Sequence, residues 1–230
     1  EAVVSAIVSR ANLELGDAVG DVLDQHIEIG QGLFRGIRLA AARDPNPETL
    51  AFPAQAQEGL YGSPSFRRGM KALGDRGLTY DAWHYHHQNQ DFLAMARSVP
   101  STQIVLDHFA TPLGVGAYAD QREEIFEQWK KDIEEISQCD NVVANGFGWD
   151  KRDTAPTSDE FVAAQSRYFL HMIECFGPDR CMFQSNFPVD KLSIAYPVLY
   201  NGLKKIVADF SEDEKDAMFY GTAARIYRIE

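Results

Sequence analysis

The chain of 230 residues carries 34 acidic and 22 basic residues, which gives a formal net charge of −12 at neutral pH. This balance argues against nucleic acid and anionic membranes as partners, because both bind to basic surfaces. The apolar fraction of 45% is ordinary for a globular protein, and no apolar run reaches the roughly 18–20 residues of a membrane span. Composition and charge therefore predict a globular protein that binds neither nucleic acid nor a membrane.

The first residue is Glu1, and no Met or signal peptide precedes the strand-like segment at residues 3–8, so we expect residues to be missing upstream. The three cysteines are odd in number and form no Cys-x-x-Cys pair; they are Cys139, Cys175 and Cys181. Packed, reduced thiols are therefore expected, as in a cytoplasmic protein. The sequence does not set the number of copies, which leaves a homo-oligomer open.

Strand-like and helix-like segments alternate along the chain. Strands are predicted at residues 3–8, 34–39, 78–85, 103–107, 141–144 and 181–187. Apolar residues three and four apart predict helices at residues 17–29, 66–73, 92–96, 120–138 and 161–176. Capping-box spacing marks two helix starts, at Thr157 with Glu160 and at Ser211 with Glu214. This alternation predicts an α/β protein whose parallel sheet is wrapped by helices.

Nucleotide-binding and hydrolase loop motifs are absent from the sequence. No Gly-x-Gly-x-x-Gly follows the first strand, and neither a Walker loop nor a Gly-x-Ser-x-Gly elbow is found. Two architectures stay open, an open doubly wound sheet or a (β/α)₈ TIM-like barrel that lacks its first one or two βα units. In either case residues 1–230 are expected to form a single domain.

Histidines collect at the ends of two predicted strands, where a parallel α/β fold places its chemistry. Four of the six histidines lie there: His84, His86 and His87 at the third strand and His108 at the fourth. Strand alternation puts His84 and His86 on one face, with His86 the better pocket candidate. Imidazole can ligate a metal or move a proton near neutral pH, whereas the alternative is a histidine satisfied by the backbone.

Three further charged residues lie near strand ends. Arg38 ends the second strand, and its guanidinium can hold a substrate carboxylate at two points or form a salt bridge at the barrel rim. Asp107 precedes His108, so its side chain is expected to face the helices in a structural role. Asp190, four residues past Asn186, can act as a base or ligand, or be a solvated loop carboxylate.

Several motifs, in order and nearly end to end, resemble the amidohydrolase-2 branch of the amidohydrolase superfamily. They are Gly36-Ile37-Arg38, Asp81-Ala82-Trp83, Tyr85-His86, Leu106-Asp107-His108, Pro112-Leu113-Gly114-Val115-Gly116, the run from Cys181 to Lys191, and the final segment from Gly221 to Arg228. The resemblance implies a distorted (β/α)₈ barrel that hydrolyses or decarboxylates small, often carboxylated cyclic substrates. The 2-pyrone-4,6-dicarboxylate lactonases and the metal-dependent decarboxylases belong to this branch.

The resemblance also implies a set of site residues. The six predicted strands become barrel strands three to eight, and the family's His-x-His metal pair would lie upstream of Glu1. His86 and His108 would then be ligands of Zn²⁺ or Mn²⁺. Asn186 stands where most of the superfamily has an aspartate; an amide is a weaker ligand and cannot take a proton from water. A metal-free route therefore stays open, with Asp190 in the acid–base role.

The residues and the resemblance together predict a hydrolase of a small, carboxylated cyclic substrate, either a lactone or another ester or amide. In this prediction His86, His108 and Asp190 are catalytic. The substrate-binding residues are Arg38, Asn186, His84 and Tyr85. The first alternative is a metal-dependent, non-oxidative decarboxylase. The second is a ligand-binding barrel with a degraded site, which Asn186, Leu39 and Ala144 favour because they depart from the family pattern.

Overall fold

The computed structural model describes residues 4–50, 55–146 and 155–229. In these residues six parallel strands form one sheet, and each strand pairs with the next in chain order. The strands are β1 (Ile7–Ser9), β2 (Phe34–Ala40), β3 (Thr79–Trp83), β4 (Ile104–Leu106), β5 (Val142–Asn145) and β6 (Cys181–Met182). Sequential order is that of a (β/α) barrel, since a doubly wound sheet reverses its order at a switch point.

Helices follow the strands along the chain. They are α1 (Val19–Ile29), α2 (Pro64–Gly74), α3 (Asn89–Ser98), α4 (Arg122–Ile136), α5 (Ser158–Phe176), α6 (Tyr196–Ile206), α7 (Glu212–Asp216) and α8 (Thr222–Tyr227). The predicted helices are confirmed within a few residues, and α6 is an addition to them. Its apolar stripe of Leu199, Leu203 and Ile206 is interrupted by Gly202, which lies against the ring of Phe161.

Both predicted capping boxes are confirmed. The Thr157 hydroxyl accepts from the Glu160 backbone N–H at 3.2 Å, and the Glu160 carboxylate accepts from the Thr157 N–H at 2.7 Å. Ser211 and Glu214 repeat the pair at 3.3 and 2.8 Å. Each box satisfies backbone donors that the first helical turn leaves open, so α5 and α7 begin where the sequence predicts.

The strands differ from the prediction at their ends. The first predicted strand, residues 3–8, is Ile7–Ser9 in the structure, and Val3 lies outside the described residues. The last strand ends at Met182 instead of continuing to residue 187. Asn186 has φ +52°, a left-handed conformation that no strand residue adopts. The apolar pattern of this segment therefore belongs to a loop at the carboxyl end of the sheet.

The inner face of the sheet is filled in part by the last helix. Val105, Val143 and Met182 point inward from β4, β5 and β6 and pack against Ile226 of α8. The start of α8 bonds the segment before β6, because the Thr222 hydroxyl donates to the Pro178 carbonyl at 3.4 Å. The last helix therefore closes the amino-terminal end of the sheet and leaves the carboxyl ends of the strands open for chemistry.

A buried carboxylate links this closing helix to the sheet. Asp81 lies on the inner face of β3, where it accepts from the Tyr227 hydroxyl at 2.8 Å and from the Thr79 hydroxyl at 3.1 Å. Burial raises the pKa of Asp81 from 3.8 to about 6, although both hydroxyls favour the ionised form. Asp81 is also the register partner of Arg38 on β2.

Two further findings concern the sequence expectations on thiols and membranes. The cysteines are free thiols, with Cys139 and Cys181 buried as predicted and Cys175 half-buried. Across the described ranges, no helix has the length and apolar character that crossing a membrane requires.

Tyr227→Phe is expected to lower the free energy of unfolding by about 1–3 kcal/mol, because a buried carboxylate oxygen of Asp81 loses its donor. Urea denaturation of the purified protein measures this change. Tyr220→Phe is the matched control, since Tyr220 is 56% exposed, and it should change little. Equal effects of the two substitutions would contradict the importance of the Tyr227–Asp81 bond.

The stability of the protein is expected to carry a pH-dependent contribution from Asp81. Because its folded pKa of about 6 lies above the unfolded value of 3.8, this contribution is complete below pH 3.8 and is lost as the pH rises through about 6. The free energy of unfolding of wild type minus that of Asp81→Asn should therefore fall by on the order of 3 kcal/mol between these pH values.

Asp24→Asn is the control of opposite sign for this measurement. Its carboxylate accepts from Arg76 at 2.7 Å, which lowers its pKa, so the corresponding difference should fall as the pH drops below 3.8. A pH-independent difference for Asp81→Asn would contradict the raised pKa of Asp81.

Candidate functional site

Arg38 stands at the centre of the polar groups at the carboxyl end of the sheet. Its Nη1 lies 3.0 Å from Oδ2 of Asp107, and its Nη2 lies 3.1 Å from Nε2 of His108. The preceding strand residue on the same face is Gly36, where a Cβ would lie 2.1 Å from the Thr79 hydroxyl oxygen. A glycine is therefore needed for β2 to approach β3 at this point. That approach sets the position of Arg38 relative to β3.

Asp107 faces the inside of the sheet, so the expectation that it faces the helices is wrong. β4 ends at Leu106, and Asp107 directly after it still points to the same inward face as Val105, where it pairs with Arg38. His108 then takes φ +53°, and the left-handed backbone continues to Thr111. This turn carries His108 to the side of Asp107, so two consecutive residues contact one guanidinium.

Left-handed backbone at several consecutive non-glycine residues is costly, at roughly 1–3 kcal/mol for each strained residue. The Trp129 indole N–H supports the turn by donating to the Phe109 carbonyl at 2.7 Å. Such strain is typical of functional sites, where the fold holds side chains in directions that regular structure does not allow.

Two amides at neighbouring strand ends complete the group. Asn145, the last residue of β5, donates to Oδ1 of Asp107 at 2.7 Å and accepts from the His108 backbone N–H at 2.9 Å. Gln184 donates to Oδ1 of Asn145 at 2.9 Å and lies 3.0 Å from Nδ1 of His108. We call Arg38, Asp107, His108, Asn145 and Gln184 the strand-end cluster.

Sequence reasoning missed the part that Asn145 and Gln184 play. The signal was present in the strand alternation, because Asn145 lies two residues after the inward-facing Val143 and Gln184 two residues after Met182. The same alternation gives Asp107 from Val105.

His108 is a neutral imidazole in this arrangement. Burial, together with the adjacent positive charge of Arg38, lowers the pKa of His108 to about 3. A guanidinium can only donate, so Nε2 of His108 accepts from Arg38. At neutral pH the cluster therefore presents an uncharged imidazole with a lone pair directed at Arg38.

Asp107 supplies the carboxylate of the strand-end cluster. Burial first, and then the nearby charge of Asp81, raises the pKa of Asp107 to about 7, while Arg38 and Asn145 favour its ionised form. One guanidinium thus faces two buried carboxylates, on β3 and at the end of β4.

His84 lies apart from the strand-end cluster, in the layer between the sheet and α3. Its Nδ1 is 3.0 Å from the Tyr61 hydroxyl, its Nε2 is 3.0 Å from Oδ1 of Asn89, and its ring stacks on Phe92 at 4.8 Å. Burial lowers the pKa of His84 to about 3. Because β3 ends at Trp83, the alternation that grouped His84 with His86 does not extend to them.

Tyr85 and His86 lie in the loop that follows β3. Tyr85 is buried in a small apolar cluster with Ala42, Leu50 and Leu113. The Nδ1 atom of His86 accepts from the Leu113 backbone N–H at 3.3 Å, and burial followed by the charge of His87 lowers the pKa of His86 to about 4.

The indole of Trp83 lies between this loop and the strand-end cluster. Its ring centroid is 6.0 Å from that of Tyr85 and 6.4 Å from that of His108. The Trp83 indole N–H donates to the Thr111 hydroxyl at 3.1 Å, which ties β3 to the left-handed turn.

Asn186 and Asp190 are brought together in the loop after β6. The Asn186 side-chain amide donates to Oδ1 of Asp190 at 2.7 Å, and the Asp190 backbone N–H donates to the Asn186 carbonyl at 3.1 Å. Asp190 is buried, so the loop holds a carboxylate in a fixed direction. The two residues that the sequence predicted for this loop therefore form one unit.

The residues present do not by themselves fit a divalent metal. Within the described part of the chain, no three His, Cys, Asp or Glu side chains converge as ligands. Nε2 of His108, the atom that would ligate, instead accepts from the Arg38 guanidinium, whose positive charge opposes a second cation at that point.

The chain is similar in sequence to two known proteins. The chain is 36% identical over 232 residues to an uncharacterised protein, y4mH, of Sinorhizobium fredii. The matched region covers 97% of this chain and 69% of that protein. It is 26% identical over 172 residues to an L-fucono-1,5-lactonase of Burkholderia multivorans, which covers 71% of this chain and 56% of that enzyme.

Solved structures share the fold. An amidohydrolase from Burkholderia multivorans with bound HEPES has a TM-score of 0.82 and 23% identity, covering 100% of this chain and 76% of that one. A structure from the same organism with bound zinc has a TM-score of 0.80 and 20% identity, covering 98% and 74%. The sequence profile of the amidohydrolase family matches residues 14–229. The chain therefore belongs to the amidohydrolase family, which is a family of enzymes.

Proposed function

We propose that the protein hydrolyses a small, carboxylated cyclic ester, with a lactone as the favoured class, at the carboxyl ends of β2 to β6. The observation that carries this proposal is the Arg38 guanidinium, 40% exposed at the mouth of the sheet and 3.1 Å from Nε2 of a neutral His108. The similarity to an L-fucono-1,5-lactonase supports the choice of a lactone.

Arg38 binds the carboxylate of the substrate in this proposal. A guanidinium carries five N–H donors in a plane and matches a carboxylate with two parallel hydrogen bonds. Since one N–H of Arg38 is donated to His108 and Nη1 is paired with Asp107 by charge, further donors of the half-exposed side chain are available to a ligand. The acidic protein thereby gains a local anion site despite its net charge of −12.

His108 is the proposed general base. Water that attacks the lactone carbonyl must lose a proton, and the ring oxygen that leaves must gain one. When Arg38 turns to the substrate carboxylate, its positive charge is neutralised and Nε2 of His108 is released, which makes that atom a better proton acceptor. The proton that His108 takes is returned to the ring oxygen, so the imidazole is neutral again after each turnover.

The loop after β6 is proposed to assist at the same site. Asp190, held by Asn186 at 2.7 Å, assists proton transfer through water, and Asn186 contributes to substrate binding. His86 is proposed to polarise the substrate carbonyl from the loop after β3. For His84 and Tyr85, which are buried among apolar and aromatic neighbours, we now propose a structural role.

Metal dependence stays a prediction for this chain. The Burkholderia amidohydrolase structure with bound zinc motivates it, and of the predicted ligands of Zn²⁺ or Mn²⁺, His86 and His108, the second would be free to ligate only after Arg38 has left its Nε2. Metal analysis of the purified protein, with assays before and after chelation, addresses this prediction.

Arg38→Met is expected to reduce kcat/KM for a carboxylated lactone by about 10–100-fold, because the substrate loses charge-assisted hydrogen bonds of about 1.5–3 kcal/mol. A pH-indicator assay over a panel of lactones measures the change. Arg76→Met, which removes an ion pair with Asp24 on the far side of the helical layer, is the control and should have little effect. Equal losses for the two variants would count against Arg38 as the carboxylate site.

His108→Gln is expected to lower kcat for the same substrate by about 10²–10⁴-fold with a smaller change in KM, as for loss of a general base. His171→Gln, on α5, is the control, and circular dichroism checks that both variants fold. Unchanged turnover in His108→Gln would show that the base assignment is wrong. Release of CO₂ from a carboxylated substrate would favour the decarboxylase alternative instead.

A further inference from the structure

The Arg38 side chain is half-exposed, yet a deeply buried carboxylate fixes one side of its guanidinium. Asp107 is 1% exposed where Arg38 is 40% exposed, and the Nη1 to Oδ2 distance is 3.0 Å. An arginine at an open mouth has many rotamers, and a ligand that binds to it must select one of them. An anchor on the buried side removes much of this freedom before the ligand arrives.

Asp107 is itself fixed on its other oxygen. The Asn145 amide donates to Oδ1 at 2.7 Å, and the same amide accepts from the His108 backbone N–H at 2.9 Å and from Gln184 at 2.9 Å. Rotation of the Asp107 carboxylate would break the bond to Asn145. The direction of the carboxylate is therefore set by backbone and side-chain groups at the ends of β4, β5 and β6.

We propose that Asp107 is a positioning residue that holds the Arg38 guanidinium ready for the carboxylate of the substrate, an inference that rests on the proposed function. Asp107 lies 3.0 Å from Nη1, and this ion pair holds the guanidinium in place when Nη2 leaves His108 for the substrate carboxylate. Asn145 acts one step further out, because it fixes Asp107.

A positioning role and a purely electrostatic role of Asp107 predict opposite effects of its removal on carboxylate binding. In its ionised form Asp107 places a negative charge beside an anion-binding arginine, so as a charge alone it opposes the binding of a carboxylate. Its removal would then tighten binding. If Asp107 instead acts by positioning Arg38, its removal weakens binding, because the free guanidinium has to be ordered by each substrate.

The test compares two substrates on variants of the full chain. The substrates are a lactone that carries a ring carboxylate and the neutral methyl ester of the same compound. Asp107→Asn removes the charge and, with its oxygen still accepting from Asn145, turns an amide donor toward the Arg38 guanidinium, whereas Asn145→Ala keeps the charge and removes its anchor. Asp132→Asn is the matched control, since Asp132 is a buried aspartate on α4 that accepts from Asn89, Gln90 and Gln128.

We expect Asp107→Asn to raise KM for the carboxylated lactone about tenfold and Asn145→Ala to raise it severalfold, with kcat changed less. For the methyl ester, KM should change by less than about twofold in either variant. Asp132→Asn should leave both KM values unchanged. A lower KM in Asp107→Asn, or equal losses on both substrates, would overturn the proposal.

A second measurement separates this proposal from the proposed function. NMR of protein with ¹⁵N-labelled arginine, in which Arg38→Met assigns the Arg38 signals, reports rotation of the guanidinium. Resolved Nη signals are expected in wild type and averaged signals in Asp107→Asn; identical spectra would overturn the positioning role. If wild type hydrolyses no lactone but shows this difference, the proposed function fails while Asp107 still positions Arg38.

Discussion

A single buried contact, between the Arg38 guanidinium and the Asp107 carboxylate, governs the chemistry of the strand ends. Removing carboxylates from water is costly unless a charge or several donors replace the water. Asp107 pairs with Arg38 and accepts a hydrogen bond from Asn145, and Asp81 accepts hydrogen bonds from two hydroxyls. Burial still raises the pKa of both carboxyl groups. Arg38 is the cation near both carboxylates, which is why its position constrains β2, β3 and β4 together.

The interior of the sheet is divided into an apolar and a polar layer, because buried polar groups need partners that replace water. The apolar layer of Val105, Val143 and Met182 packs against the last helix and needs no polar partner. The next inward positions toward the carboxyl ends are polar, and they bond one another: Asp107, Asn145 and Gln184. Asp81, the register partner of Val105, is a polar group at the deeper level, and it is satisfied by Tyr227 and Thr79. Closure of one end by α8 thus concentrates the reactive groups at the opposite end.

Family membership and activity rest on different observations. The family follows from a profile match over residues 14–229 and from a shared fold, whereas solved neighbours below 25% identity carry no information on substrate. The chain spans 69% and 56% of the lengths of the two curated relatives it matches. Substrate and mechanism are therefore argued from the strand-end cluster, where a half-exposed guanidinium lies beside a neutral imidazole.

By itself the sequence determined the order of strands and helices, both capping boxes, the family, and the presence of Arg38 and His108 at strand ends. These follow from local periodicity and from motifs, which are properties of short segments. Only the tertiary structure decided that Asp107 faces inward, that His84 packs behind the sheet, and that Asn145 and Gln184 join the cluster. Side-chain direction beyond a strand end is set by backbone turns and by neighbouring strands. The left-handed turn at His108, supported by Trp129 of another helix, cannot be read from the residues that form it.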